Sequence, residues 1–167
     1  MRSPRLATVR PRLPLVLPAG CLPKRVPKNI PLIAIVDDDE SVCRSLKRLV
    51  RSLGMAADTY TSGLDFIEQM ESSNSINPDC VILDVQMAGL NGIEVQTILH
   101  RIRKNVAVVF ITAHDDPGAR ERALAGGAFA VLRKPCNDAL IMRTLQAVFA
   151  RNIPGGRPAG ADPISDN

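Results

Sequence analysis

Aromatic residues are nearly missing from this chain: 167 residues include no tryptophan, one tyrosine and four phenylalanines. A core of this size must be filled by Val, Ile, Leu and Ala, which suit a parallel sheet buried under helices. Paired-cysteine signatures are missing too. Cys21, Cys43, Cys80 and Cys136 show neither CxxC spacing nor clustering with histidine, which argues against a disulfide framework or a thiolate metal site. Cys43 and Cys80 fall in apolar-periodic segments and are expected as small core residues in a reducing, cytoplasmic compartment. No run approaches the roughly 18 apolar residues that a membrane span needs. Acid is missing from residues 1–30, which hold seven of the 21 Lys and Arg. The other 14 bases face all 17 acids, so the remainder carries −3 although the whole chain carries +4. A mildly acidic globular part argues against a nucleic-acid-binding face there.

What is present divides the chain into three. Residues 1–30 are a basic Pro/Arg-rich arm with Pro4, Pro11, Pro14, Pro18, Pro23 and Pro27, too many for a helix or central strand, so disorder is expected. The apolar patch Leu13–Cys21 is short and broken by Pro14 and Pro18, a poor export signal. A basic arm or an over-extended reading frame fits it better. Residues 31–151 hold regular structure, and 152–167 form a Pro/Gly-rich flexible tail.

Between the arm and the tail, strand-like and helix-like patterns alternate five times. Leu32–Val36, Met55–Tyr60, a run ending at Asp84, Val106–Ile111 and Ala128–Leu132 read as strands. Ser41–Leu53 places Val42, Leu46, Leu49, Val50 and Leu53 at helical spacing and closes on Gly54. Ser62 with Asp65 opens a second helix in capping-box style, with Leu64, Ile67 and Met70 on one face. Ile93–Ile102, the Ala-rich Pro117–Ala125 and Asp138–Ala150 are the remaining helices.

Chemistry-bearing residues recur where these strands end. Val81-Ile82-Leu83 runs into Asp84, Ile33–Val36 into Asp37-Asp38-Asp39-Glu40, Val106–Ile111 into Thr112, and Ala128–Leu132 into Arg133-Lys134-Pro135. In an open α/β sheet the carboxyl ends of the strands gather ligands. Carboxylates on neighbouring strands repel unless a cation neutralises them, and Mg²⁺ fits an all-oxygen site that leaves room for phosphate. A lysine and a hydroxyl beside it would orient and neutralise a phosphoryl group, with an Asp as nucleophile. Singly, the same residues have plainer roles: Asp38, Asp39 and Glu40 as helix caps, Thr112 as a turn residue, Lys134 as a solvated one.

Ile35-Val36-Asp37-Asp38-Asp39-Glu40, Leu83-Asp84-Val85-Gln86-Met87 with Gly89-Leu90-Asn91-Gly92, Ile111-Thr112-Ala113 and Lys134-Pro135 together resemble the receiver domains of two-component response regulators, of the chemotaxis-regulator kind, over about residues 31–150. The resemblance implies a three-layer α-β-α, flavodoxin-like fold with a five-stranded parallel sheet in the order 2-1-3-4-5. It implies that Asp84 takes a phosphoryl group from a sensor histidine kinase. Mg²⁺ would then be bound by Asp38, Asp84 and the Gln86 backbone carbonyl, with Asp37 assisting. Thr112 and Lys134 would contact the phosphoryl oxygens, and Pro135 would follow a cis bond.

By the same resemblance the output is a population shift on the face of the fourth helix, fifth strand and fifth helix, which is also the face expected for a homodimer. Gln86 and His114 fall at positions that tune dephosphorylation in relatives; His114 reads equally as a loop residue. Three features depart from the family. Ala88 stands where a proline is usual, and Val131 where an aromatic is usual, with Phe129 two residues earlier and expected on the same strand face. No DNA-binding output domain follows. The expectation is a stand-alone receiver, not an enzyme on other substrates, signalling to an unknown partner protein or in a phosphorelay. Two rivals are an Asp-nucleophile phosphohydrolase, disfavoured by Gln86 where a second acid is needed, and an unphosphorylated pseudo-receiver acting as an interaction module.

Overall fold

The computed structural model describes residues 30–72, 77–102, 106–113 and 117–151. The expected arm (apart from Ile30), the expected tail and His114 lie outside these residues. Five strands and five helices alternate: β1 (Leu32–Val36), α1 (Glu40–Ser52), β2 (Ala56–Tyr60), α2 (Gly63–Ser72), β3 (Cys80–Asp84), α3 (Gly92–Arg101), β4 (Ala107–Thr112), α4 (Pro117–Ala125), β5 (Ala130–Arg133) and α5 (Asp138–Arg151). All strand pairs are parallel and the order is β2-β1-β3-β4-β5. This is the flavodoxin-like arrangement, with β3 at its centre.

Strand β3 shows why the sheet is sandwiched. All five of its residues, Cys-Val-Ile-Leu-Asp, are buried, so neither face meets water and both need a helical cover. Alternation of side chains divides the core in two. On one face Ile33, Ile35, Cys80, Ile82, Val109 and Ile111 pack under α1 and α5. On the other, Ala34, Val36, Val81, Leu83, Val108 and Phe110 pack under α2, α3 and α4. Cys43 and Cys80 are buried, as expected. Burial pushes the Cys80 thiol up to about 12, keeping it neutral and inert. No helix among the described residues is long and apolar enough to cross a membrane.

Two packing expectations are corrected. Leu64 does not join Ile67 and Met70; it is 55% exposed, and the buried face of α2 is Gly63, Phe66, Ile67 and Met70. The cause is close approach at Gly63, where a Cβ would lie 2.8 Å from both the Leu90 carbonyl oxygen and Val95 Cγ2. With position 63 against the core, position 64 turns outward. Phe129 is not on the face of Val131. It precedes β5 and packs with the α1/α5 cluster, whereas Val131 belongs to the opposite one. Two-residue alternation holds only within a strand, and here the strand starts at Ala130.

Candidate functional site

The site is assembled by strand register. Val36 pairs with Leu83, so Asp37 on the β1 exit lies beside Asp84, the last residue of β3. Asp84 pairs with Ile111, and Thr112 follows as the last residue of β4. Thr112 pairs with Arg133, and Lys134 follows β5. Four of the five strands, β1, β3, β4 and β5, thus bring polar side chains to the same carboxyl edge. The Lys134 backbone amide donates to the Thr112 carbonyl at 2.8 Å, extending that ladder, and the Lys134–Pro135 bond is cis.

The four acids after β1 divide their work. Asp39 is the N-cap of α1: its Oδ1 accepts from the Ser41 amide at 2.7 Å and the Val42 amide at 3.4 Å. Glu40 is the first residue of α1 and pairs with Arg44 at 3.0 Å on the surface. The plain capping role therefore falls to Asp39, which frees Asp37 and Asp38 for the site. Asp37 is buried, with both oxygens engaged. Oδ1 accepts from the Asp39 amide at 3.0 Å, and Oδ2 accepts from Lys134 Nζ at 2.7 Å. Asp38 is exposed, and its Oδ2 accepts from the Ala88 amide at 3.3 Å.

Asp84 differs from both. It is 7% exposed, its Oδ2 stands 3.6 Å from Lys134 Nζ, and its Oδ1 is buried without a hydrogen-bond partner. Burial raises its carboxyl above the ordinary aspartate range, the charge of Lys134 opposes this, and Asp37 adds to the rise. For Lys134, burial alone would lower the ammonium. The hydrogen bond to Asp37 and the charges of Asp84 and Asp37 outweigh it, so the group is held above the ordinary lysine value and stays charged.

Ligand atoms of Asp37, Asp38 and Asp84 all lie within 4.8 Å of one another. Three carboxylates, one with an orphaned buried oxygen, fit a hard divalent cation such as Mg²⁺. Gln86 is exposed and lines a cavity of about 540 Å³ with Asp38, Met87, Ala88, Asn91 and Arg122. Thr112 is buried at the same edge.

Several contributors are not legible in the sequence. The Asp37–Lys134 ion pair is one, because only the strand register shows that a lysine after β5 reaches back to the end of β1. The Asn91–Glu94 capping box, legible in sequence as Asn-x-x-Glu, starts α3 at Gly92. Gly92 has a stronger reason to be glycine than a turn: a Cβ there would come within 2.1 Å of the Asp84 carbonyl oxygen. α3 starts directly on the strand end that carries Asp84.

The response regulator receiver domain family model matches residues 33–146. Among curated proteins, the chain is 34% identical over 121 residues to nodulation protein W of Bradyrhizobium diazoefficiens, covering 72% of this chain and 52% of that one. It is 31% identical over 136 residues to the transcriptional regulatory protein FixJ of Azorhizobium caulinodans, covering 81% and 63%. The chain thus spans about half to two thirds of the length of these relatives. A crystal structure of a response regulator receiver protein from Burkholderia phymatum is 58% identical, with a TM-score of 0.65, covering 72% of this chain and 95% of that one. With the doubly wound sheet and its acidic carboxyl edge, these matches settle the family: the chain belongs to the receiver domains of two-component response regulators.

Proposed function

We propose that the chain is a phosphorylatable switch that accepts a phosphoryl group on Asp84 from the phosphohistidine of a sensor histidine kinase. The observation that carries this reading is Asp84 Oδ1, a buried carboxylate oxygen without a hydrogen-bond partner, 7% exposed on its residue and next to a charged lysine. An oxygen left unpartnered in a native site is costly unless it has work to do. In the transfer, an Asp84 oxygen forms a bond to phosphorus while the phosphorus–nitrogen bond of the donor imidazole breaks. The electron pair leaves with the imidazole.

The chain's own residues prepare that step. Asp37 holds Lys134 by a 2.7 Å contact, at 3.6 Å from Asp84 Oδ2, where the ammonium can turn to the incoming phosphoryl oxygens. Thr112 closes the other side of the edge and offers a hydroxyl. Asp38 and Asp84, with the Gln86 carbonyl and with Asp37 assisting, would hold Mg²⁺, which when bound neutralises charge developing on the phosphoryl oxygens. With Gln86 two residues beyond Asp84, no second acid stands where a phosphohydrolase would need one. The chain is therefore read as a phosphoacceptor and not as an enzyme on other substrates. It is further read as acting in the cytoplasm, through a partner protein or a phosphorelay, with α4, β5 and α5 as the responding face and as the face of any homodimer.

The test is intact mass after incubation with acetyl phosphate and Mg²⁺, beside Asp84→Ala. One added phosphoryl group, absent in the variant and without Mg²⁺, is the expected result. A folded protein that gains no mass, with hydrolysis trapped out, would favour an unphosphorylated interaction module instead.

A further inference from the structure

The three carboxylates of the site are unequally held. Asp37 is clamped by two donors, and Asp84 is buried at the end of the central strand. Asp38 is exposed, and among the described residues its side chain has one hydrogen bond, from the backbone amide of Ala88, 50 residues away on the β3–α3 loop. Of the three, Asp38 has the most side-chain freedom to lose when it becomes a ligand.

Residue 88 can make this bond only because it is not proline, which has no N–H. Gly89 follows with φ +79°, and Ala88 stands where the family usually carries proline, so the amide at 88 is a feature of this chain.

We propose that the Ala88 backbone amide is a positioning group for the divalent-cation site, fixing the Asp38 carboxylate toward Asp84 before the cation arrives. The carboxylate oxygen has two lone pairs, so it accepts from Ala88 and still ligates. Hydrogen bonds of this kind orient metal ligands, and their loss weakens metal binding by about 10- to 100-fold. The inference rests on the cation reading of the site above and adds to it the group that holds its most exposed ligand.

The experiment is titration of the unphosphorylated chain with Mg²⁺, followed by amide chemical shifts, for the wild type, Ala88→Pro, Ala88→Ser and Asp38→Asn. Ala88→Pro is expected to weaken Mg²⁺ binding about tenfold without lowering the thermal midpoint measured free of the cation. Ala88→Ser keeps the N–H and is expected to bind as the wild type does, which a loss of loop packing alone would not produce. Wild-type binding that Ala88→Pro leaves within twofold overturns this inference and spares the cation reading. So does equal weakening by Ala88→Pro and Ala88→Ser. Wild-type protein that shows no Mg²⁺-dependent shifts, or shifts that Asp38→Asn retains in full, overturns the cation reading and this inference with it.

Discussion

Helices α1 and α4 hold corresponding places, each following a strand whose carboxyl end carries part of the site, yet they are attached by different physics. α1 buries Cys43, Leu46 and Val50 under the sheet, with Val42, Leu49 and Leu53 packed around them, and Asp39 caps its first turn. α4 buries only Ala119 and Ala123, with Leu124 partly buried beside them. Alanine offers little apolar area, so α4 depends more than α1 on directional bonds. Gln96, a fully buried amide on α3, donates from Nε2 to the carbonyls of Ala123 at 3.1 Å and Gly126 at 2.9 Å. Arg120 Nη1 donates to the Val131 carbonyl at 2.9 Å, tying α4 to β5. Elements with few buried apolar contacts open at lower free energy than core helices. A change worth a few kcal/mol at the carboxyl-edge site can redistribute such an element, where it would leave α1 in place. The half of the site that carries Asp37 and Asp38 thus stands on the fixed helix, and the half after β4 adjoins the adjustable one.

The comparison breaks most visibly if burial does not dominate α1. Leu46→Ala removes a large buried side chain and is expected to lower unfolding stability by about 3 kcal/mol, read as a shift in urea midpoint at unchanged slope. A loss below about 1 kcal/mol would mean that α1 is held no more firmly than α4. Gln96→Met keeps the length of the side chain and removes both donors. It is expected to cost about 2 kcal/mol, because the Gly126 carbonyl loses this donor and the Ala123 carbonyl keeps only the Ala128 amide. The sharper readout is locality: hydrogen exchange at the α4 amides should quicken while α1 amides keep their protection. Equal acceleration in both helices would show that Gln96 supports the whole core and does not serve as a latch on α4.

How much of this was legible in the sequence follows the same division. Periodic burial was: β3, with its unbroken apolar run, and α1, with its stripe from Val42 to Leu53, came out nearly residue for residue, and the strand order followed from the family resemblance. The site residues were legible because strand ends are marked in sequence by the end of an apolar run. Attachment by single polar groups was not. Gln96 lies within an amphipathic helix, where a glutamine reads as surface, and only the packing of α3 against α4 buries it to 2% exposure. Leu64 fails for the complementary reason, since helical spacing cannot show that Gly63 takes the core position first. Ala88 shows in sequence only as a missing proline, and the amide it exposes gains meaning from Asp38 standing opposite.

The smallest expected effect is read at the start of α1. Asp39 accepts hydrogen bonds from the side chain and amide of Ser41, and these hold its carboxyl below the ordinary value of 3.8. An acid with a depressed folded value contributes stability that is present above its unfolded value and is lost as pH falls through the folded one. The α1 cap should therefore be intact at pH 5 and weaken as the pH falls below about 3.8, with its first-turn amides exchanging faster relative to the α1 interior. At α4 the acids in the corresponding place, Asp115 and Asp116, lie outside the described residues, so the test is read on α1 alone, its first turn against its interior. Asp39→Asn retains a capping oxygen and has no charge to lose. It should flatten the pH response of α1 while leaving the helix formed at pH 7, and a response that survives in this variant would have to come from another carboxyl near the site.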